Sequence, residues 1–106
     1  MHPNPEWTDV AGVDDLFEGA SIEVRPRGLE IALHCIDGVP YATDNVCTHG
    51  AGPLCEGWLE GFEIECPLHQ GRFDVRDGRP LCDPVTEPLR VYPAKIADGR
   101  VLLDLG

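Results

Sequence analysis

Cys47-Thr48-His49-Gly50 and Cys66-Pro67-Leu68-His69-Gln70-Gly71 each offer one thiolate and one imidazole, and sixteen residues separate His49 from Cys66. One such pair is common by chance and usually means core packing. Two of them in a chain of 106 residues point to loops that converge on one metal site. Thiolate and imidazole suit zinc and also the iron of sulfide clusters, so ligand type leaves both open. Spacing separates them. Zinc sites with two cysteines and two histidines usually pair Cys with Cys and His with His along the chain, whereas here each pair is mixed. Mixed pairing favours a two-iron two-sulfur centre in which two cysteines hold one iron and two histidines the other. The candidate ligands are Cys47, His49, Cys66 and His69. Gly50, Gly52 and Gly71 beside them let the backbone come close enough to aim N–H groups at cluster sulfurs.

Outward from the ligand pairs, residues 45–88 are rich in Gly, Pro, Cys and His and read as a cluster-bearing subdomain. The flanks read as a small β base. Ser21 to Arg25 alternates polar and apolar, while Leu29 to Ile36 and Leu89 to Ile96 are strand-length and bounded by Gly or Pro. Asp37-Gly38, Asp77-Gly78 and Asp98-Gly99 are predicted to turn tight hairpins, because that dipeptide accepts positive φ. Helix is expected only as one short turn near Val13 to Phe17. The expected fold is all-β and antiparallel, a single domain over residues 1–106 that closes when Arg100 to Leu105 pairs with earlier strands.

Nineteen acidic against eight basic residues give a formal charge of −11, which repels phosphate backbones and excludes nucleic acid as the expected partner. A basic protein surface is the better match. No apolar run approaches membrane-spanning length, and Met1 to Trp7 has no signal-peptide pattern, so a cytoplasmic location is expected. Five cysteines at 35, 47, 55, 66 and 82 are an odd set, which favours cluster ligation over a disulfide framework in a reducing compartment.

The stretches from Tyr41 to Gly50, Glu63 to Val75 and Pro80 to Thr86 resemble the ferredoxin components of bacterial aromatic-ring-hydroxylating dioxygenases, especially the naphthalene dioxygenase type. The resemblance covers nearly the whole chain and has no departure at the four ligand positions. It implies a Rieske fold of stacked antiparallel sheets, with one 2Fe–2S cluster at a tip and both histidines near solvent. It also implies a one-electron shuttle, probed by no substrate of its own, between an NAD(P)H-dependent flavin reductase and a terminal oxygenase. That shuttle is expected to be a monomer that docks transiently and is not catalytic alone. Pro84 to Pro88 matches the family's proline-containing loop over the cluster. The alternative within the same fold is a small Rieske subunit of a larger enzyme such as nitrite reductase, and outside it a structural zinc module.

Four histidines are too few for an oxygenase catalytic subunit, which needs a second, mononuclear iron site. His34 is expected to be an ordinary surface residue of its strand. Cys35 and Cys82 are expected to pack, Cys55 to be unreactive for want of a neighbouring cation, and Trp58 and Phe62 to pack the subdomain. Respiratory Rieske proteins carry an extra cysteine in each ligand loop plus a Ser and a Tyr near the cluster. The matching positions here are Gly52, Leu68, Gly71 and Phe73. Without those hydroxyl donors the added negative charge of the reduced state is less stabilised. The midpoint potential is therefore expected near the low end of the Rieske range of about −150 to about +300 mV, measurable by redox titration.

Overall fold

The computed structural model describes residues 6–48, 50, 52–68, 70–83 and 85–106. Ten strands are described: β1 Trp7–Gly12, β2 Ser21–Val24, β3 Ile31–Ile36, β4 Val39–Asp44, β5 Trp58–Glu60, β6 Glu63–Glu65, β7 Arg72–Asp74, β8 Val91–Tyr92, β9 Ala94–Ala97 and β10 Arg100–Asp104. They form three antiparallel sheets in the orders β1-β10-β9, β2-β3-β4-β8 and β5-β6-β7. Among the described residues helix is limited to 3-10 turns at Val13–Asp15, Pro26–Gly28 and Leu54–Glu56. Among the described residues no helix is long and apolar enough to cross a membrane.

The base closes as expected, because β10 pairs with both β1 and β9. Its two-residue hairpins are made by Asp37-Gly38 and Asp98-Gly99, where every φ lies between 52° and 74°, as a type I′ turn requires. Glu18 ties down the first of these tips by accepting from the N–H groups of Asp37 and Gly38 at 2.6 and 2.9 Å.

Two expectations about local structure are corrected. Asp77-Gly78 does not make a two-residue hairpin: the turn spans Val75 to Gly78, and only Gly78 has positive φ, at +81°. Gly78 N–H donates to the Asp74 carbonyl, and Asp74 N–H to the Arg79 carbonyl. Leu89 to Ile96 is not one strand either. Pro93 has no N–H to continue a ladder, so the chain leaves the β4 edge as β8 and starts β9 in another sheet.

All six residues of β3 are buried, since its sheet is covered on both faces. Ile31 and Leu33 face a core with Val101, Leu103 and Leu105. Ile36, on the opposite face, joins a second core with Leu54, Ile64, Phe73, Val85 and Leu89. Phe73 is fully buried there, and its truncation to Ala is of the class that costs about 3–5 kcal/mol.

This double coverage overturns the expectation that His34 lies at the surface, because its side chain is completely buried. The Ser21 hydroxyl lies 2.7 Å from Nδ1, Nε2 lies 2.9 Å from Thr43 Oγ1, and the Thr43 hydroxyl donates to the Asp44 carbonyl. Burial favours the neutral ring, and with the Thr43 proton committed, Nε2–H of that ring donates to Thr43 and Nδ1 accepts from Ser21. Trp58 is likewise corrected. It is 60% exposed, because in the short edge strand β5 only Leu59 points inward. Phe62 does pack, edge-on to Tyr41 at 5.8 Å and under the Arg76 guanidinium at 4.1 Å.

Burial pushes the pKa of His34 down to about 4. The unfolded chain binds that proton below about pH 6.5 while the folded chain refuses it, so stability falls as pH drops from about 6.5 towards 4. The slope from this group is at most about 1.4 kcal/mol per pH unit. Urea midpoints of wild type and H34Q between pH 7 and 4.5 should differ in slope, with the variant's flatter.

Candidate functional site

The first ligand loop leaves β4 and is zipped at its neck. Leu54 N–H donates to the Asn45 carbonyl at 2.7 Å, Val46 and Pro53 form an isolated antiparallel bridge, and Cys47 N–H donates to the Gly52 carbonyl at 3.0 Å. Pro53 ends the zipper, and the chain turns into Leu54–Glu56, where Leu54 is fully buried.

The second loop is the connection between β6 and β7. Cys66 N–H donates to the Gly71 carbonyl at 2.8 Å, and Gln70 N–H closes a tight turn on the Cys66 carbonyl at 3.0 Å. Gln70 sits at φ +60°, in the left-handed region that a side chain seldom occupies. At the neck, Glu65 and Arg72 face each other across the strands, with Arg72 Nε and Nη2 both 3.0 Å from Glu65 Oε1.

These two loops meet. Cys47 is 3% exposed, Cys66 is fully buried, and both belong to the core of Leu54, Ile64, Phe73 and Val85. A Cβ on Gly52 would stand 2.6 Å from Cys66 Sγ and 3.4 Å from Leu68 Cγ, so the backbone of the first loop lies directly on the thiol of the second. Gly52 and Leu68, the positions matched to the extra cysteines of the respiratory proteins, are thus side by side. A third segment covers both loops. Val85 is buried against Gly71, where a Cβ would come within 2.5 Å of Val85 Cγ1, and the Thr48 hydroxyl donates to the Glu87 carbonyl at 2.9 Å.

Two thiols from separate loops, buried in one apolar core beneath a cover, are a donor set suited to a sulfide cluster, since burial raises the cost of leaving the thiolates without a metal. The expected ligands His49 and His69, and Pro84 of the expected covering loop, lie outside the described residues.

The other cysteines divide. Cys35 is buried as expected, and burial raises its pKa. Cys55 is half-buried and its pKa is raised, first by desolvation. Cys82 corrects the expectation of packing. It is exposed, because the chain bends outward after the Phe73–Pro80 bridge, and its Sγ is 4.0 Å from the Gln70 carbonyl oxygen. Val46 and Leu68, each adjacent to a candidate ligand, are also exposed, at 43% and 61%.

Sequence reasoning missed the residues that brace the loops. Asn45 joins the first loop to β2 by a hydrogen bond from its side-chain Nδ2 to Glu23 Oε2 at 2.7 Å. Asp74, 3% exposed, sits at the end of β7 and holds Arg76 at 2.7 Å and Arg79 at 3.3 Å. The Arg76 hydrogen bonds keep the Asp74 carboxyl below its usual range. The run Asp74-Val75-Arg76-Asp77-Gly78-Arg79 carried that signal as a carboxylate followed by arginines two and five residues on.

Because the Cβ added by G52A collides with Cys66 Sγ at 2.6 Å, that variant is expected to purify with less iron and sulfide than wild type while keeping its β-sheet circular dichroism. Colorimetric iron and sulfide assays check it.

The Rieske [2Fe-2S] domain family model matches residues 6–93. The chain is 54% identical over 99 residues to the ferredoxin component of the naphthalene 1,2-dioxygenase/salicylate 5-hydroxylase systems of a Ralstonia species, covering 93% of this chain and 95% of the relative. Among solved structures, the Sphingomonas yanoikuyae B1 ferredoxin superposes with a TM-score of 0.89 at 33% identity, covering 95% of this chain and 100% of that one. A chain from the complex of reduced oxygenase and oxidized ferredoxin in carbazole 1,9a-dioxygenase superposes with a TM-score of 0.87 at 36% identity, covering 95% and 94%. The putative NADH-dependent nitrite reductase small subunit of Mycobacterium tuberculosis is more distant, at 26% identity and a TM-score of 0.84, covering 95% and 96%. With its all-β architecture, two buried loop thiols and full-length similarity to ferredoxin components, the chain belongs to the Rieske [2Fe-2S] family and carries that family's single two-iron two-sulfur cluster.

Proposed function

We propose that the protein is a one-electron carrier that takes electrons from an NAD(P)H-dependent flavin reductase and delivers them to the terminal oxygenase of an aromatic-ring-hydroxylating dioxygenase system. The observation that carries this reading is the meeting of the two loops, with Cys66 Sγ against Gly52 and Cys47 in the same buried core. The proposed ligands are Cys47 and Cys66 through thiolates and His49 and His69 through imidazoles. When bound, the cluster supplies reversible one-electron chemistry.

The chain's own residues set the conditions for that chemistry. Leu54, Phe73 and Val85 exclude water from the thiol side, and Gly52 and Gly71 admit the close approach of neighbouring groups. No bond of an organic substrate is made or broken here, so the protein works only with its partners. We place docking at the ligand loops, where Val46 and Leu68 are exposed. The charge of −11 favours partners with basic docking faces and a monomer that repels its own copies. The unpaired thiols of Cys35, Cys55 and Cys82 accord with the reducing cytoplasm, where aromatic compounds are catabolised. The permanent-subunit alternative has weaker support, with 26% identity to a nitrite reductase small subunit against 54% to a dioxygenase ferredoxin component.

Electron paramagnetic resonance after dithionite reduction tests the ligand set. A rhombic signal with mean g well below that of all-cysteine ferredoxins, at about two irons per chain, is expected. An EPR-silent protein with stoichiometric zinc and no sulfide overturns the reading. Acidic steering predicts that transfer rates to the oxygenase fall as ionic strength rises past about 0.1 M, in stopped-flow mixing.

A further inference from the structure

Asn45 stands two residues before Cys47, is 2% exposed, and has each of its four polar atoms engaged. Its N–H donates to the Glu30 carbonyl at 2.9 Å, and its carbonyl accepts from Leu54 N–H at 2.7 Å. Its side-chain Oδ1 accepts from Cys55 N–H at 2.7 Å, and Nδ2 donates to Glu23 Oε2 at 2.7 Å. Those partners lie in three places: strand β2, the residue leading into β3, and the 3-10 turn on the far side of the ligand loop. Glu23 is itself held from its other oxygen by Arg25 Nε at 3.0 Å. The side chain at 45 must therefore accept from an amide on one side and donate to a carboxylate on the other, within one short reach. Asn does both, whereas Asp cannot donate when ionised and Leu can do neither.

Beyond Asn45 the described closures of the loop, the Val46–Pro53 bridge and the Cys47 to Gly52 and Gly50 to Cys47 hydrogen bonds, run within the loop itself, and Thr48 bonds the covering segment at Glu87. Asn45 thus fastens the first loop to the base sheet two residues before Cys47. A tilt there moves the whole loop, including Gly52, against the Cys66 thiol. The second loop has no such anchor to the base among the described residues; its neck is braced by its own strands through Glu65 and Arg72. We propose that Asn45, oriented by Glu23, is a positioning residue that sets the first ligand loop against the second and thereby tunes the cluster. This rests on reading Cys47, His49, Cys66 and His69 as the ligands. The physical basis is that hydrogen bonds and solvent access around a cluster control its potential and spectrum.

The test compares reduced holoproteins by EPR g values, midpoint potential and rate of iron loss to a chelator. N45D places two carboxylates face to face, and its g values and potential are expected to shift, with faster iron loss. N45D/E23Q keeps net charge unchanged and restores a complementary pair, because the introduced amide donates to the introduced carboxylate, which still accepts from Cys55 N–H. Return of all three readouts to wild-type values is expected. H34Q, which alters an equally buried polar side chain of the base sheet whose hydrogen bonds run to Ser21 and Thr43, is expected to lower urea stability and leave g values unchanged. Wild-type g values and potential in N45D, whatever its stability, overturn the proposal, as does failure of E23Q to rescue it. If N45D takes up no cluster, uptake with wild-type g values by N45D/E23Q supports the proposal and its absence overturns it. A wild-type protein without the rhombic signal is a different result, which removes the ligand reading itself.

Discussion

The contact on which the rest of the site depends is the seat of Cys66 Sγ against the backbone of Gly52. It joins two loops that the chain builds independently, one hung from the base sheet after β4 and one turned between β6 and β7. Any side chain at 52 would separate them by pushing on a sulfur that has no room to retreat in a close-packed core. The same economy of space recurs at Gly71 under Val85, so the covering segment and the second loop also meet without an intervening side chain. The approach of the two loops is thus set by their backbones, and the surrounding apolar residues hold it in place.

Two cores divide the supporting work. The one around Val101 and Leu103 holds the base together, while the one around Phe73, Ile64 and Leu54 contains the cysteines, and β3 contributes to both from opposite faces. Polar groups trapped by this arrangement are all partnered among the described residues. His34, Thr43, Asn45 and Asp74 are the buried polar side chains, and each is tied by hydrogen bonds to a different element. Such groups are costly when unpaired, which is why they specify how the loops sit as well as helping to hold them. The surface ion pairs, by contrast, are exposed arginine–carboxylate contacts of small individual worth.

An acidic carrier built this way separates two tasks. The buried side of the site encloses the thiols of Cys47 and Cys66, and on the exposed side apolar Val46 and Leu68 face solvent. The long-range field comes from the remaining acidic surface. Acidic charge is spread over the chain, so its effect is on encounter and orientation more than on the fit of any one contact.

The amino-acid order by itself determined the fold class, the hairpins at Asp37-Gly38 and Asp98-Gly99 and the resemblance to Rieske ferredoxins, because these depend on local pattern, turn chemistry and motif spacing. It did not reveal His34 as a core residue, since period-two alternation assumes a sheet with one wet face and β3 has none. Nor did it reveal that Trp58 and Cys82 point outward, which follows from an edge strand and a bend whose neighbours are distant in sequence. Pro93 was visible, but that it divides one apolar run between two sheets depends on where β4 and β10 lie. The brace of Asn45 by Glu23, and the fit of Gly52 to Cys66, belong to tertiary structure alone, because each joins residues that come together only when separate sheets pack.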